Sequence, residues 1–122
     1  MEEHFVTYEQ ALALKELGFD EPCFGCFTKS GELSYDFSDN KGEGHYFQDC
    51  TAPLKSQVFK WFRYKGFDFA IMEKYKDKGK FYGGYLNKPN ELFPHSFGSN
   101  FKTYEEAELA CIDTLIEIIK TK

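Results

Sequence analysis

Residues 101–119 read FKTYEEAELACIDTLIEII, and their reading decides the fold. Thr103 is a helix N-cap, and Glu106 three residues later closes a capping box. From there the spacing predicts a helix over Thr103 to Lys120. Leu109, Ala110, Cys111, Ile112, Leu115, Ile116, Ile118 and Ile119 take up most of its circumference. Glu106, Asp113, Glu117 and Lys120 are left as a narrow polar arc. A helix apolar over most of its circumference is buried on several sides. This helix is therefore expected to be central and buried, with the rest of the chain arranged around it.

Residues 5–19, FVTYEQALALKELGF, begin with the same local pattern of Phe, Thr-Tyr-Glu and Ala. Here Thr7 caps, Gln10 closes the box, and the helix runs from Thr7 to Leu17. Gly18 can enter the left-handed region, and Phe19 can pack on Leu14, which makes a Schellman-type stop. The matched heptapeptides are capping physics used twice, because the residues after them diverge. If anything repeats, it is a helix followed by a hairpin, at 7–37 and 53–87.

Residues 22–37 alternate around the turn pair Ser30-Gly31 and predict a β-hairpin. Residues 38–52, SDNKGEGHYFQDCTA, read as a polar loop. Residues 53–65, PLKSQVFKWFRYK, predict a second helix with Pro53 in its first turn and Gly66 as its stop. Leu54, Val58, Trp61 and Phe62 fall on one face, and Ser56, Gln57, Lys60, Arg63 and Tyr64 on the other. Strands at 67–75 and 80–87 follow. Gly83-Gly84 marks a bulge or a close backbone approach. Residues 91–98 add a short strand that Pro94 restricts to an edge. The order α-β-β-α-β-β-(β)-α gives an α+β fold: one antiparallel sheet with three helices packed mainly on one face. At 122 residues and 42% hydrophobic content, residues 1–122 are expected to form a single domain.

The composition narrows the function classes. Aromatic residues make up 19% of the chain, more than a small core easily absorbs, so some rings are expected in a pocket or an interface. The net charge of −5 disfavours a general nucleic-acid binder. The charge is also uneven: residues 1–50 carry −8, residues 51–90 carry +6, and residues 91–122 carry −3. The N-terminus has no signal-peptide pattern and no apolar run is long enough for a membrane span, so a cytoplasmic protein without a membrane partner is expected. In that compartment Cys23, Cys26, Cys50 and Cys111 stay free thiols.

Several motifs invite chemistry. Cys23-Phe24-Gly25-Cys26 has zinc or redox spacing, but no second pair completes a zinc set, and the motif lies in a strand rather than at a helix N-terminus. Small half-buried strand residues are the plainer reading, and no metal is assigned. His45 beside Asp49 and Cys50 could form a Cys–His pair, without any flanking signature to support it. Glu108 points into the apolar face near Tyr104, Cys111 and Leu115, where desolvation raises a carboxylate's pKa; the alternative is that it reaches solvent or a lysine. The strongest lead is the basic island. From Lys55 to Lys88 it interleaves lysines and Arg63, the sole arginine, with Phe59, Trp61, Tyr64, Phe81, Tyr82 and Tyr85. Cations hold phosphates and rings stack on bases. The alternative is a solvated hairpin whose lysines discourage aggregation. A single arginine argues against duplex DNA. No phosphate-binding glycine loop, nucleophile elbow or zinc-protease motif is present, and no cofactor is implied.

Residues 52–67 (APLKSQVFKWFRYKGF), 101–119 and 8–25 (YEQALALKELGFDEPCFG) together resemble a family of small uncharacterised proteins encoded by phages and prophages of gut bacteria. The resemblance covers roughly half the chain in three blocks, with the last helix the most specific. Residues 28–50 and 67–100 match poorly. Arg63-Tyr64-Lys65-Gly66 departs from the resemblance as a basic version of a stretch associated with an acidic residue. No activity carries over, so no catalytic residue does. The resemblance implies a protein made in an infected or lysogenic cell and working in the host cytosol. The leading expectation is an accessory binding protein without catalysis, in an anti-defence role. It would sequester an anionic small molecule such as a signalling nucleotide, or bind a host protein. Lys60, Arg63, Tyr64 and Trp61 are the expected ligand contacts, with Glu108 as a further candidate. The rival classes are a small nucleotide hydrolase using Glu108 or a cysteine, and a purely structural or regulatory homodimer.

Overall fold

The computed structural model describes residues 2–35, 48–76, 79–91 and 93–120. Among them lie three α-helices and two three-stranded antiparallel sheets in the order α-β-β-β-α-β-β-β-α, an α+β fold. The elements are α1 (Tyr8–Glu16), β1 (Cys26–Thr28), β2 (Leu33–Ser34), β3 (Gln48–Thr51), α2 (Lys55–Tyr64), β4 (Asp68–Lys76), β5 (Gly79–Asn87), β6 (His95–Phe101) and α3 (Tyr104–Lys120). By its contacts the chain divides into two compact units, Met1–Val58 with Ile118–Lys122, and Phe59–Glu117.

In the first unit, Thr7 caps α1 and the box with Gln10 is complete in both directions. At the other end Gly18 takes φ +95°. The Phe19 N–H donates to the Leu14 carbonyl at 2.9 Å, and the Gly18 N–H donates to that of Lys15 at 3.1 Å. These are the two bonds of a Schellman stop, and both Leu14 and Phe19 are buried. The predicted hairpin forms as β1 and β2, with Cys26 opposite Ser34.

Two expectations need correction here. The sheet is not shared with the later strands, and residues 48–51 are not loop. Gln48–Thr51 is β3, which pairs with β1 and sets Phe27 opposite Cys50. Its sequence, Gln-Asp-Cys-Thr, has no run of strand-forming residues. What it gains is burial of Cys50 and Thr51 against a distant strand, and local patterning does not report that. The second helix also starts later than expected. The buried Pro53 accepts the Val6 N–H through its carbonyl at 3.2 Å, and Leu54 bridges Phe5, so α2 begins at Lys55.

In the second unit α2 ends as α1 does. Gly66 takes φ +96°. The Phe67 N–H donates to the Phe62 carbonyl at 3.2 Å, and the Gly66 N–H donates to that of Arg63 at 2.9 Å. The rings of Phe62 and Phe67 meet edge to face, with centroids 6.0 Å apart, and both are buried. Full burial of such a side chain contributes about 1.5–3 kcal/mol. All nine residues of β4 pair in unbroken register with β5. The β5–β6 ladder shifts on both sides of Gly84. A Cβ on Gly84 would lie 2.5 Å from the Phe97 ring and 2.0 Å from the Ala70 carbonyl oxygen, so only glycine fits there. The edge strand read at 91–98 begins beyond Pro94, at His95, and runs on to Phe101.

Phe69, Ile71 and Glu73 share one sheet face with Leu86, Gly84 and Tyr82, their partners in the register. Phe59 of α2 packs on Phe69, and Tyr104 of α3 meets Tyr82 edge to face, so both helices lie on that face. In α3 the buried positions are Ala107, Cys111, Ile112, Leu115 and Ile116, which form one stripe. Leu109, Ala110, Ile118 and Ile119 are half-buried flanks of that stripe.

Candidate functional site

The buried face of α2 is Lys55, Val58, Phe59 and Phe62. The sequence reading placed Trp61 there in place of Phe59. Trp61 instead sits half-buried at the margin, edge to face with Phe62 at 5.1 Å. That position leaves one indole face for a cation. The Lys65 ammonium lies over it, 4.4 Å from the ring centroid. One residue back around the helix, the Lys60 ammonium lies 5.7 Å from the Tyr64 ring, which is 78% exposed. The Arg63 guanidinium is 5.7 Å from the ring of Phe69 on β4. Lys60 with Tyr64, and Trp61 with Lys65, are four residues apart, the spacing that stacks side chains along a helix.

Each cation gains from the ring quadrupole without losing its charge. Among the described residues, Lys60, Arg63 and Lys65 are exposed and make no ion pair with a carboxylate. They cluster at the C-terminal end of α2, whose dipole favours cations and offers an anion no backbone N–H groups. An anion here would be held by side chains alone.

The hairpin portion of the basic island is arranged differently. Lys80 binds Glu73 at 3.0 Å and also lies over Tyr75. Glu73 accepts from Tyr75 and Tyr82 as well, and the Lys80 hydrogen bond, more than the others, holds its carboxyl below the usual carboxylate range. Lys88 is 4.0 Å from Glu91, which His95 also meets at 3.0 Å. These cations are matched locally. The unmatched positive charge of the described island lies mainly on α2.

Of the five expected contacts, the structure groups Lys60, Trp61, Arg63 and Tyr64 on the outer surface and margin of α2. Glu108 belongs to α3, half-buried, where its charge acts on Tyr104 and Cys111. Burial first, and Glu108 second, push the Tyr104 hydroxyl up. Lys65 and Phe69 were missed as members of the site. The four-residue spacing of Trp61 and Lys65 was legible, whereas the approach of Phe69 to Arg63 depends on how the sheet packs.

Two of the four thiols are held protonated. Cys50 is pushed up to about 12, by burial and then by the neighbouring Asp49 charge. Burial likewise pushes Cys111 up to about 12. Thiols held protonated at neutral pH are poor nucleophiles. His45, the imagined partner of Cys50, lies outside the described residues. Cys23 and Cys26 are buried, and among the described residues no cluster of His, Cys, Asp or Glu could hold a metal ion.

One polar cluster was not foreseen. The Tyr8 hydroxyl donates to the Asp49 carboxylate, and the Lys15 ammonium donates to the Asp49 backbone carbonyl at 2.7 Å. The Asp49 bond is the main reason that Tyr8 is pushed up to about 12. The Tyr8 ring rests on Phe27, 5.5 Å away. The cluster clamps α1 to β3 and keeps the Tyr8 hydroxyl protonated.

No helix among the described residues is long and apolar enough to cross a membrane. Comparison with protein-family models, with curated proteins and with solved structures finds no match to this chain.

Proposed function

We propose that the protein is a non-catalytic binding protein that captures an anionic small molecule, with a phosphate-bearing nucleotide as the ligand class. One observation carries this reading: three exposed cations, Lys60, Arg63 and Lys65, sit beside rings at one end of α2 and make no ion pair with a carboxylate among the described residues. Arg63 and Lys65 would meet phosphate, Lys60 would add to the field, and the exposed Tyr64 ring would stack on a base. The buried, protonated thiols favour capture over covalent chemistry. In the phage setting that the sequence resemblance implies, such capture would remove a host signalling nucleotide from use, an anti-defence role in the host cytosol.

A thermal-shift screen with mononucleotides, dinucleotides and cyclic oligonucleotides tests the reading. A ligand present at one hundred times its dissociation constant stabilises the fold by about 2.7 kcal/mol, which is readily measured. The expected result is stabilisation by a subset of phosphate-bearing ligands, with the ligand recovered chemically intact after denaturation. A flat screen refutes nucleotide capture and turns attention to a host protein. Recovery of a hydrolysed ligand refutes the non-catalytic part.

A further inference from the structure

The two sheets have four edge strands, and three of them are blunted. β2 has two residues. β3 has four, with a register shift where it pairs with β1. β6 starts after Pro94, shifts register twice, and takes positive φ at Gly98 and Asn100. Short length, bulges and proline are the usual means by which an edge is kept from pairing with another chain.

β4 has none of them. It is nine residues long, pairs with β5 without a shift, and contains no proline and no positive φ. Among the described residues no hydrogen bond engages its outer backbone edge. Asp68, Ala70, Glu73, Lys74 and Tyr75 are all exposed. The close approach of the Ala70 carbonyl to Gly84 shows that Ala70 directs its backbone groups at β5. By the alternation of an antiparallel ladder, Phe69, Ile71 and Glu73 direct theirs outward.

The charges along this edge select a partner. Asp68 stands at one end and Lys74 near the other. When the strand meets a second copy of itself antiparallel about Ile71, Asp68 falls opposite Lys74 of the second copy, twice by symmetry. Ala70 falls opposite Met72, and Ile71 opposite itself. The outward groups of Phe69, Ile71 and Glu73 then form the new ladder. A parallel pairing in register sets Asp68 on Asp68 and Lys74 on Lys74, which is unfavourable. The lysine thus guards against open-ended stacking and permits one two-fold arrangement.

We propose that β4 is a self-complementary dimerisation edge, through which two copies of the chain join their second sheets into one continuous six-stranded sheet. This does not depend on the ligand reading. The test is sedimentation equilibrium of the full chain across the micromolar range at low salt. The expected mass rises from 14.2 kDa toward twice that value with concentration. Lys74→Asp should weaken association by roughly tenfold, and the double swap Asp68→Lys with Lys74→Asp should restore it. Amide exchange at Phe69, Ile71 and Glu73 should slow as the dimer forms. Circular dichroism confirms that these surface variants fold. A chain that stays monomeric overturns the proposal. So does a dimer indifferent to Lys74→Asp, or one that the double swap fails to rescue.

Discussion

α1 ends in Leu17-Gly18-Phe19-Asp20 and α2 in Lys65-Gly66-Phe67-Asp68, with matching hydrogen bonds and nearly equal φ at glycine, +95° and +96°. The strands that follow have little in common. After α1 they run to three, two and four residues, with β1 in the middle. After α2 they run to nine, nine and seven, in chain order. A helix stop needs only a glycine and an apolar residue at fixed offsets, so it is carried intact into either setting. Strand length depends on what comes next. Pro22, without an N–H, and the small residues Cys23, Gly25 and Cys26 follow the first stop, and the sheet closes on buried thiols. Phe69, Ile71 and Met72 follow the second, and an extended ladder covered by aromatic rings results.

The most severe way to break the comparison is through the apolar pair that closes each stop. Phe62→Ala should cost about 3–5 kcal/mol and Leu14→Ala about 2–5 kcal/mol in chemical denaturation, since both side chains are fully buried. A loss under 1 kcal/mol at either site would mean that the stop is not anchored in a core.

The glycines sharpen it. A Cβ on Gly18 meets nothing within 4 Å, whereas one on Gly66 meets the Pro89 ring at 3.1–3.2 Å. Gly18→Ala should cost about 1–2 kcal/mol from the left-handed backbone alone, and Gly66→Ala more than that. Equal costs would show that Pro89 yields freely.

Smaller still is the difference between the N-caps. Thr7 has a reciprocal box with Gln10. At α3, Thr103 accepts the Glu106 N–H at 3.1 Å, but the Glu106 carboxylate turns to the Lys102 N–H instead. Each Thr→Ala change should cost about 1 kcal/mol. Gln10→Ala should lower stability measurably further than Glu106→Ala, because only Gln10 is buried as well.

At neutral pH the raised groups of both units are silent, and they emerge in alkali. The folded pKa values of Cys50 and Tyr8, in the first unit, are raised to about 12 from 9 and 10. A raised folded pKa leaves stability intact below the unfolded value and removes it as pH climbs toward the folded one. Thermal stability should therefore fall from pH 9 upward. Cys50→Ala should reduce the part of the slope that starts near 9, to which Cys111 also contributes, and Tyr8→Phe should reduce the part that starts near 10. A profile unchanged by both variants would contradict the burial of Cys50 and the Tyr8–Asp49 bond.

Much of the fold was legible because capping and helical periodicity are local. All three helices, both Schellman glycines and the Gly83-Gly84 approach followed from short patterns. β3 was not legible, because Gln48–Thr51 becomes a strand only by pairing with Cys26–Thr28, some twenty residues away in sequence. The same limit applied to the division into two sheets. Among the site residues, Lys60, Arg63 and Tyr64 were readable as the outer face of α2. Trp61 was misplaced by a fraction of a turn, because a helical wheel does not say which of two adjacent rings, Phe59 or Trp61, the sheet will cover.

The central claim is that the cations at the end of α2 are a binding face rather than a solvated one. Its most direct test is a calorimetric titration of wild type, Arg63→Ala and Lys65→Ala with a nucleotide that stabilises the fold, at low and high salt. Losing one charge-assisted contact should weaken binding by roughly tenfold or more. The deficit should be larger at low salt than at high salt, as expected for exposed charges. Affinity unchanged in Arg63→Ala and in Lys65→Ala would contradict the claim.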